Sequence, residues 1–378
     1  MMRSGLFLLA LILTATPVHA TGGGPLPGLT ASELAEFKAG FFDFRAPISL
    51  QQGLGPVYNM ASCYPCHGHP ALGGQTPKTV TRFGRVTDGV FDPLDSAGGS
   101  LLHAKAIRSS CAQVLPPEAN VVVKRNVSSA LGAGLIEAIP DQQIIDRATA
   151  EQTENPAWAG RAAMVTSVSD GLSHVGRFGW KAQEALLIDF VGRAMVDELG
   201  FTNALFPMDE APNGNLALLA QCDSVPDPED TIGFLDKVTH LLRYLGRPTQ
   251  PSHVSNVVMQ GEALFDSIGC SFCHYVGYTA VSSISAIDGQ SVALYSDLLL
   301  HDIGTGDGIV QGDAHGNEFR TAPLWLVRGS EPYLHDGRAH TVAEAISAHQ
   351  GQALDVRNTY LALSPSEQQA VLRFLLAR

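Results

Sequence analysis

The chain is short of positive charge. Its 378 residues carry 24 lysines and arginines against 37 aspartates and glutamates, a formal net of −13. That excludes nucleic acid as a partner, because phosphate backbones reward clustered Lys and Arg. Acidic surfaces mostly serve solubility, although a cationic redox partner also suits one. Long apolar runs are missing too. No segment after the N-terminus approaches the roughly 18 uninterrupted apolar residues of a membrane span. With 45% hydrophobic and 16% charged residues, the composition is globular and soluble, neither disordered nor fibrous. The length allows two domains with real cores.

What is present begins with a leader. Arg3 supplies a positive start, Leu6 to Thr14 a short apolar core, and Val18-His19-Ala20 small residues at a cleavage site. Residues 1–20 are expected to be a signal peptide removed after Ala20, which places the mature chain in the periplasm. Cleavage leaves 23 basic against 37 acidic residues, a net of −14. The competing reading is an uncleaved N-terminal anchor. No cysteine follows the small residues, which disfavours a lipid anchor.

Cysteine usage is concentrated. Four of the six cysteines form two C-x-x-C-H motifs, Cys63/Cys66/His67 and Cys270/Cys273/His274. In this motif each sulfur adds to one haem vinyl group and the histidine reaches the iron. Two such motifs on an exported chain predict two covalently attached haems of c type. A zinc or redox CxxC with an incidental histidine is the bland alternative. Cys111 and Cys222 remain. In an oxidising compartment they form either a disulfide or two buried thiols.

Helical signals dominate. Leu186, Leu187, Phe190, Val191, Ala194 and Met195 make one apolar stripe, with Gly200 as a stop. Leu235, Val238, Leu241, Leu242 and Leu245 make another, ended by Gly246. Ser364, Pro365 and Glu367 spell a capping box before Val371, Leu372, Leu375 and Leu376. GEALFDSIGCSFCH resembles the helix that delivers cysteines to haem in a cytochrome c domain. Little strand signal is visible. The turn-rich segment 246–253 reads as a linker. The expected organisation is an N-terminal haem domain over 21–245 and a C-terminal haem domain over 246–378.

Blocks in order from about residue 40 to 355 carry a more specific resemblance. GLGPVYNMASCYPCH, GAGLIEAIPD, GRFGWKAQEALLIDF, YSDLLLHDIG, EFRTAPLWLV and PYLHDGRAHTVAEAISAH resemble the di-haem oxidoreductase family, also labelled thiol oxidoreductases. That family resembles bacterial di-haem cytochrome c peroxidases and MauG. The resemblance implies a mainly α fold of two cytochrome c-like haem domains with long loops. It also implies a calcium ion between the domains, with the backbone around Thr321 and Pro323 as the matching region.

Axial ligands decide what each haem does. His67 and His274 are the proximal ligands by motif. His349 lies fourteen residues after His335, where the peroxidases place the sixth ligand of their C-terminal haem, usually methionine. Histidine there implies bis-histidine ligation and a lower potential than methionine would give. An exposed histidine near a helix end is the other reading. For the first haem, the peroxidases' loop histidine corresponds to Phe83. His69, His103 and His174 are weaker candidates, so an open distal face is expected.

Glu137, a lone carboxylate among apolar residues, is the expected acid/base for peroxide, against an ordinary helix-end role. Arg320 and Arg177 could hold haem propionates or make ordinary pairs. Trp180 or Trp325 could relay electrons. The expected function is a peroxidase-like oxidoreductase, with hydrogen peroxide or a related oxidant at the N-terminal haem. A small redox protein or other donor would supply electrons through the C-terminal haem. A plain electron-transfer cytochrome and a MauG-like oxidative modifier of a partner protein are the alternatives.

Overall fold

The computed structural model describes residues 22–248 and 254–378. The expected signal peptide and most of the 246–253 linker lie outside the described residues. The first half carries α1 (Ala31–Arg45), the short α2 (Tyr64–His67), α3 (Ala133–Glu137), α4 (Asp141–Glu154), α5 (Leu187–Leu199), α6 (Leu216–Cys222) and α7 (Phe234–Arg243). The second half carries α8 (Asn256–Ser267), α9 (Val342–Ser347), α10 (Leu354–Ala362) and α11 (Pro365–Leu375).

Local sequence explains these limits. In α5 the apolar stripe faces inward, and Gly200 closes the helix at φ +56°. Ser364 and Glu367 form the capping box that starts α11. A helix pair crosses at a glycine in each half. A Cβ on Gly40 of α1 would sit 2.1 Å from the Lys237 carbonyl oxygen of α7. One on Gly261 of α8 would sit 2.0 Å from the Ala370 carbonyl oxygen of α11. Only glycine permits backbones to approach that closely.

The mainly α expectation is overturned. Helix accounts for 35% and strand for 13%, with several small sheets. Strand β1 (Val57–Tyr58) precedes the first motif, and β2 (Thr79–Thr87), β3 (Val90–Asp92), β4 (Leu101–Leu102), β5 (Lys105–Ala106) and β6 (Val121–Asn126) lie between it and α3. The central strand, β2, pairs antiparallel with β3, β4 and β6. The β-branched stretches TVTRFGRVT and VVVKRN favour a pleated surface. Most other strands have two or three residues, too short to show a period.

One large apolar cluster joins Phe44, Leu187 and Leu241 to Tyr278, Leu298 and Trp325. A smaller one packs Phe265, Ile268, Tyr360, Val371 and Phe374 beside the second motif. Cys111 and Cys222 are bonded and buried, tying the loop after β5 to the end of α6.

Candidate haem sites

The second motif opens on a cavity of about 300 Å³. Helix α8 ends at Ser267, and Gly269 in the left-handed region turns the chain into Cys270. Cys270, Cys273, His274, Arg320 and His349 all line this cavity. His274 presents Nδ1 to the Tyr295 carbonyl at 2.9 Å. His349 presents Nδ1 to the Ala345 carbonyl at 2.8 Å. An Nδ1–H donated to a carbonyl fixes the tautomer and leaves Nε2 free as a metal ligand. Burial drives both imidazoles towards the neutral form a ligand requires, His274 down to about 4.

The walls fit a haem. Trp158, Phe265, Trp325 and Tyr360 give an apolar lining. Arg320 is buried; its Nε donates to the Gly179 carbonyl at 2.9 Å, and burial lowers its guanidinium to about 10. A propionate is the counter-charge such a group lacks. His335 stacks on Phe319 with ring centroids 3.9 Å apart, and its buried Nε2 has no hydrogen-bond partner among the described residues. Trp180 and Trp325 also line the cavity, their indole N–H groups donated to the carbonyls of Asn126 and Ala293.

Beside Cys273 lies a buried cluster that sequence reading passed over. His301 Nε2 is 2.9 Å from Asp297 and 3.9 Å from Glu151, and its Nδ1 is 3.9 Å from Cys273 Sγ. Arg147 pairs with Glu151 at 2.9 Å. Burial opposes charge on His301, yet Asp297 holds its imidazole well above the ordinary histidine range. The visible signal was Asp297 and His301 four residues apart in YSDLLLHDIG.

The first motif sits differently. Cys63 and Tyr64 pack against the large apolar cluster. His67 Nδ1 is 3.3 Å from the Gly74 carbonyl, the same tautomer-fixing contact as in the second motif. Burial raises the thiols of Cys63 and Cys66, with a lesser push from Glu198 of α5, which accepts from Asn59 Nδ2 at 2.8 Å. Burial holds its carboxyl up at about 7. Phe83 is fully buried in β2, so a strand occupies the place of the peroxidases' histidine loop. His103 pairs Nδ1 with Gln113 and points Nε2 at Glu210, 3.6 Å away. His174 lies between Asp141 and Asp170. His69 is exposed.

Glu137 is held through both oxygens. Arg243 donates to them at 2.6 and 3.0 Å, and the Leu187 N–H at the start of α5 donates at 2.9 Å. Arg177 is buried, its guanidinium bonded to the carbonyls of Ile136, Glu137 and Ile139 and to Asp141. It fastens the α3–α4 junction and does not line the cavity.

Calcium at Thr321 does not fit these residues. The Thr321 carbonyl already accepts from Ser296 Oγ at 2.6 Å and from Arg320 Nη1 at 3.2 Å.

Paired C-x-x-C-H motifs, with a cavity against the second that offers two free imidazole nitrogens, define a di-haem protein. Residues 103–378 match the family described as "Di-haem oxidoreductase, putative peroxidase". The chain belongs to that family and is a di-haem oxidoreductase. A comparison with curated proteins found no match. Among solved structures it is similar to Kuenenia stuttgartiensis hydrazine synthase, with 16% identity, 99% of this chain and 100% of that one covered, and a TM-score of 0.42. It is also similar to a MauG-like protein associated with microbial copper homeostasis, with 15% identity, 96% and 94% coverage, and a TM-score of 0.43. The di-haem peroxidase BthA of Burkholderia thailandensis shows 12% identity, 93% and 86% coverage, and a TM-score of 0.44.

Proposed function

We propose that this di-haem oxidoreductase is a periplasmic c-type enzyme that reduces hydrogen peroxide, or uses it as oxidant, at the N-terminal haem. The C-terminal haem relays electrons from a small redox protein. The observation carrying this reading is an inequality of imidazoles. His274 and His349 both keep Nε2 free on one cavity. His174, offered by the sequence for the first haem, has both ring nitrogens on aspartates, and His103 has Nδ1 on Gln113 and Nε2 3.6 Å from Glu210 without a hydrogen bond.

In this reading Cys63, Cys66, Cys270 and Cys273 form the thioethers, and His67, His274 and His349 are the axial ligands. Arg320 and His335 hold propionates. Haem bound there supplies an iron that reacts with peroxide where a coordination position is open and passes electrons where both are filled. Glu137 moves the proton, with Arg243 positioning it. That role requires one of its oxygens to be released from Arg243 or from the Leu187 N–H.

Absorption and electron paramagnetic resonance spectra of the haem-loaded protein test the assignment. We expect one low-spin and one high-spin haem, the high-spin signal changing when peroxide is added. Two low-spin haems inert to peroxide in both redox states would make the chain an electron-transfer cytochrome instead.

A further inference from the structure

The loop between α5 and α7 gathers carboxylates that the haem chemistry does not use. Oxygens of Asp209, Asp223 and Asp227 lie within 4.8 Å of one another. Glu229 stands beside them; it accepts from the Thr202 N–H at 2.7 Å and from Thr202 Oγ1 at 2.6 Å. Thr202 Oγ1 also faces Asp227 Oδ1 at 2.5 Å, and Asp223 Oδ1 accepts from the Val225 N–H at 3.0 Å. Glu229 and Asp223 each have one oxygen anchored by a backbone N–H, while the single Thr202 hydroxyl proton serves either Glu229 or Asp227.

Asp209 differs from its neighbours. Both its oxygens are shut off from solvent, each exposing less than 1 Å², and neither accepts a hydrogen bond within the described residues. The charged groups acting most strongly on it are Glu229, Asp227, Asp223 and Glu210, all acids. Burial, followed by these like charges, pushes its carboxyl up to about 8. A buried carboxylate without donor or counter-charge is costly unless a cation supplies both.

The geometry points to a divalent cation of the calcium class bound by Asp209, Asp223 and Asp227, with Glu229 in support. All donors are hard oxygens, which excludes the soft thiophilic metals. Carboxylates alone as donors suit calcium, which takes about six to eight oxygens in flexible geometry, better than magnesium, which keeps several of its waters. The Cys111–Cys222 bond adjoins Asp223 and fixes this end of the loop. The cation thus cross-links the two ends of the 201–232 loop to each other, away from the cavity of the second haem.

Calcium titration of the haem-loaded protein, by calorimetry and by thermal melting, tests this. One ion should bind per chain, and a hundredfold excess over Kd should raise Tm by about 5 °C. Magnesium should bind at least tenfold more weakly. Asp209→Asn should abolish the calcium response while leaving Tm in chelator unchanged or higher, since it removes a buried charge. Asp227→Asn, at a more exposed position, should weaken binding at least tenfold and serves if the first variant folds poorly. No calcium binding up to 10-millimolar levels, or equal binding by wild type and both variants, would overturn the site.

Discussion

The two C-x-x-C-H motifs share five-residue chemistry and differ in almost everything around it. The second faces a cavity lined by two histidines, His274 and His349, and has a compensated acid cluster beside it, in which Arg147 and His301 answer Glu151 and Asp297. The first is packed into the main core, next to Glu198, whose hydrogen-bond partner is the neutral amide of Asn59. A motif that attaches haem therefore does not decide what the haem does. The next shell decides it, through ligand supply and through which buried charges are answered.

The sharpest way to break this contrast is His349→Met. If His349 ligates the second haem, thioether for imidazole should raise that haem's potential on the order of 0.2 V, within the roughly 0.8 V that axial ligands command. Spectropotentiometry would read the shift on one of two haem waves. A second-haem wave unmoved from wild type would mean that the sixth ligand comes from elsewhere.

The charge contrast makes a smaller prediction. Burial, opposed by the Asn59 hydrogen bond, raises Glu198 from the ordinary glutamate value of 4.5 to about 7. Between those pH values the native chain binds this proton and the unfolded chain releases it. Its contribution to stability therefore falls as pH rises through that window and is level above it. Glu198→Gln keeps the shape without the charge. Relative to wild type it should gain about 3 kcal/mol of stability between pH 4.5 and pH 7.5, read from urea melts. A constant difference across that range would show that the proton is not held there.

Legibility followed length and period. The stripes of α5 and α7 and the capping box of α11 could be read because each spans several turns or a fixed four-residue signature. The sheet around β2 was missed although TVTRFGRVT and VVVKRN carry β-branched residues. The haem motif on one side and the helical stripes on the other drew the reading towards helix. The sequence offers Arg320 for a propionate without tying it to either haem, although it lines the cavity of the second motif together with His349. His349 could be assigned to that motif because the family block fixes its offset from His335. The cluster of Glu151, Asp297 and His301 could not, since Glu151 arrives from a helix some 150 residues away by tertiary packing alone. The same holds for Glu198 and Asn59, and for Asp209 among its acids.

Glu137 gives the smallest and most divided effect. Its bonds to Arg243 and to the first N–H of α5 make it a helix anchor, and a carboxylate near a helix N-terminus is stabilising on its own. Glu137→Gln keeps the acceptor to Leu187 and removes the charge that faces Arg243. An anchor alone predicts a loss of about 1–2 kcal/mol in stability and peroxide turnover unchanged per folded, haem-loaded molecule. A proton-transfer role predicts that the turnover per folded molecule falls by at least a hundredfold, since amide nitrogen cannot take and return the proton. Stopped-flow peroxide consumption normalised to haem, measured beside a urea melt of the same sample, separates the two. A rate loss with intact stability leaves the chemistry with Glu137 at the first haem, and a stability loss with an intact rate moves it to another residue of that half.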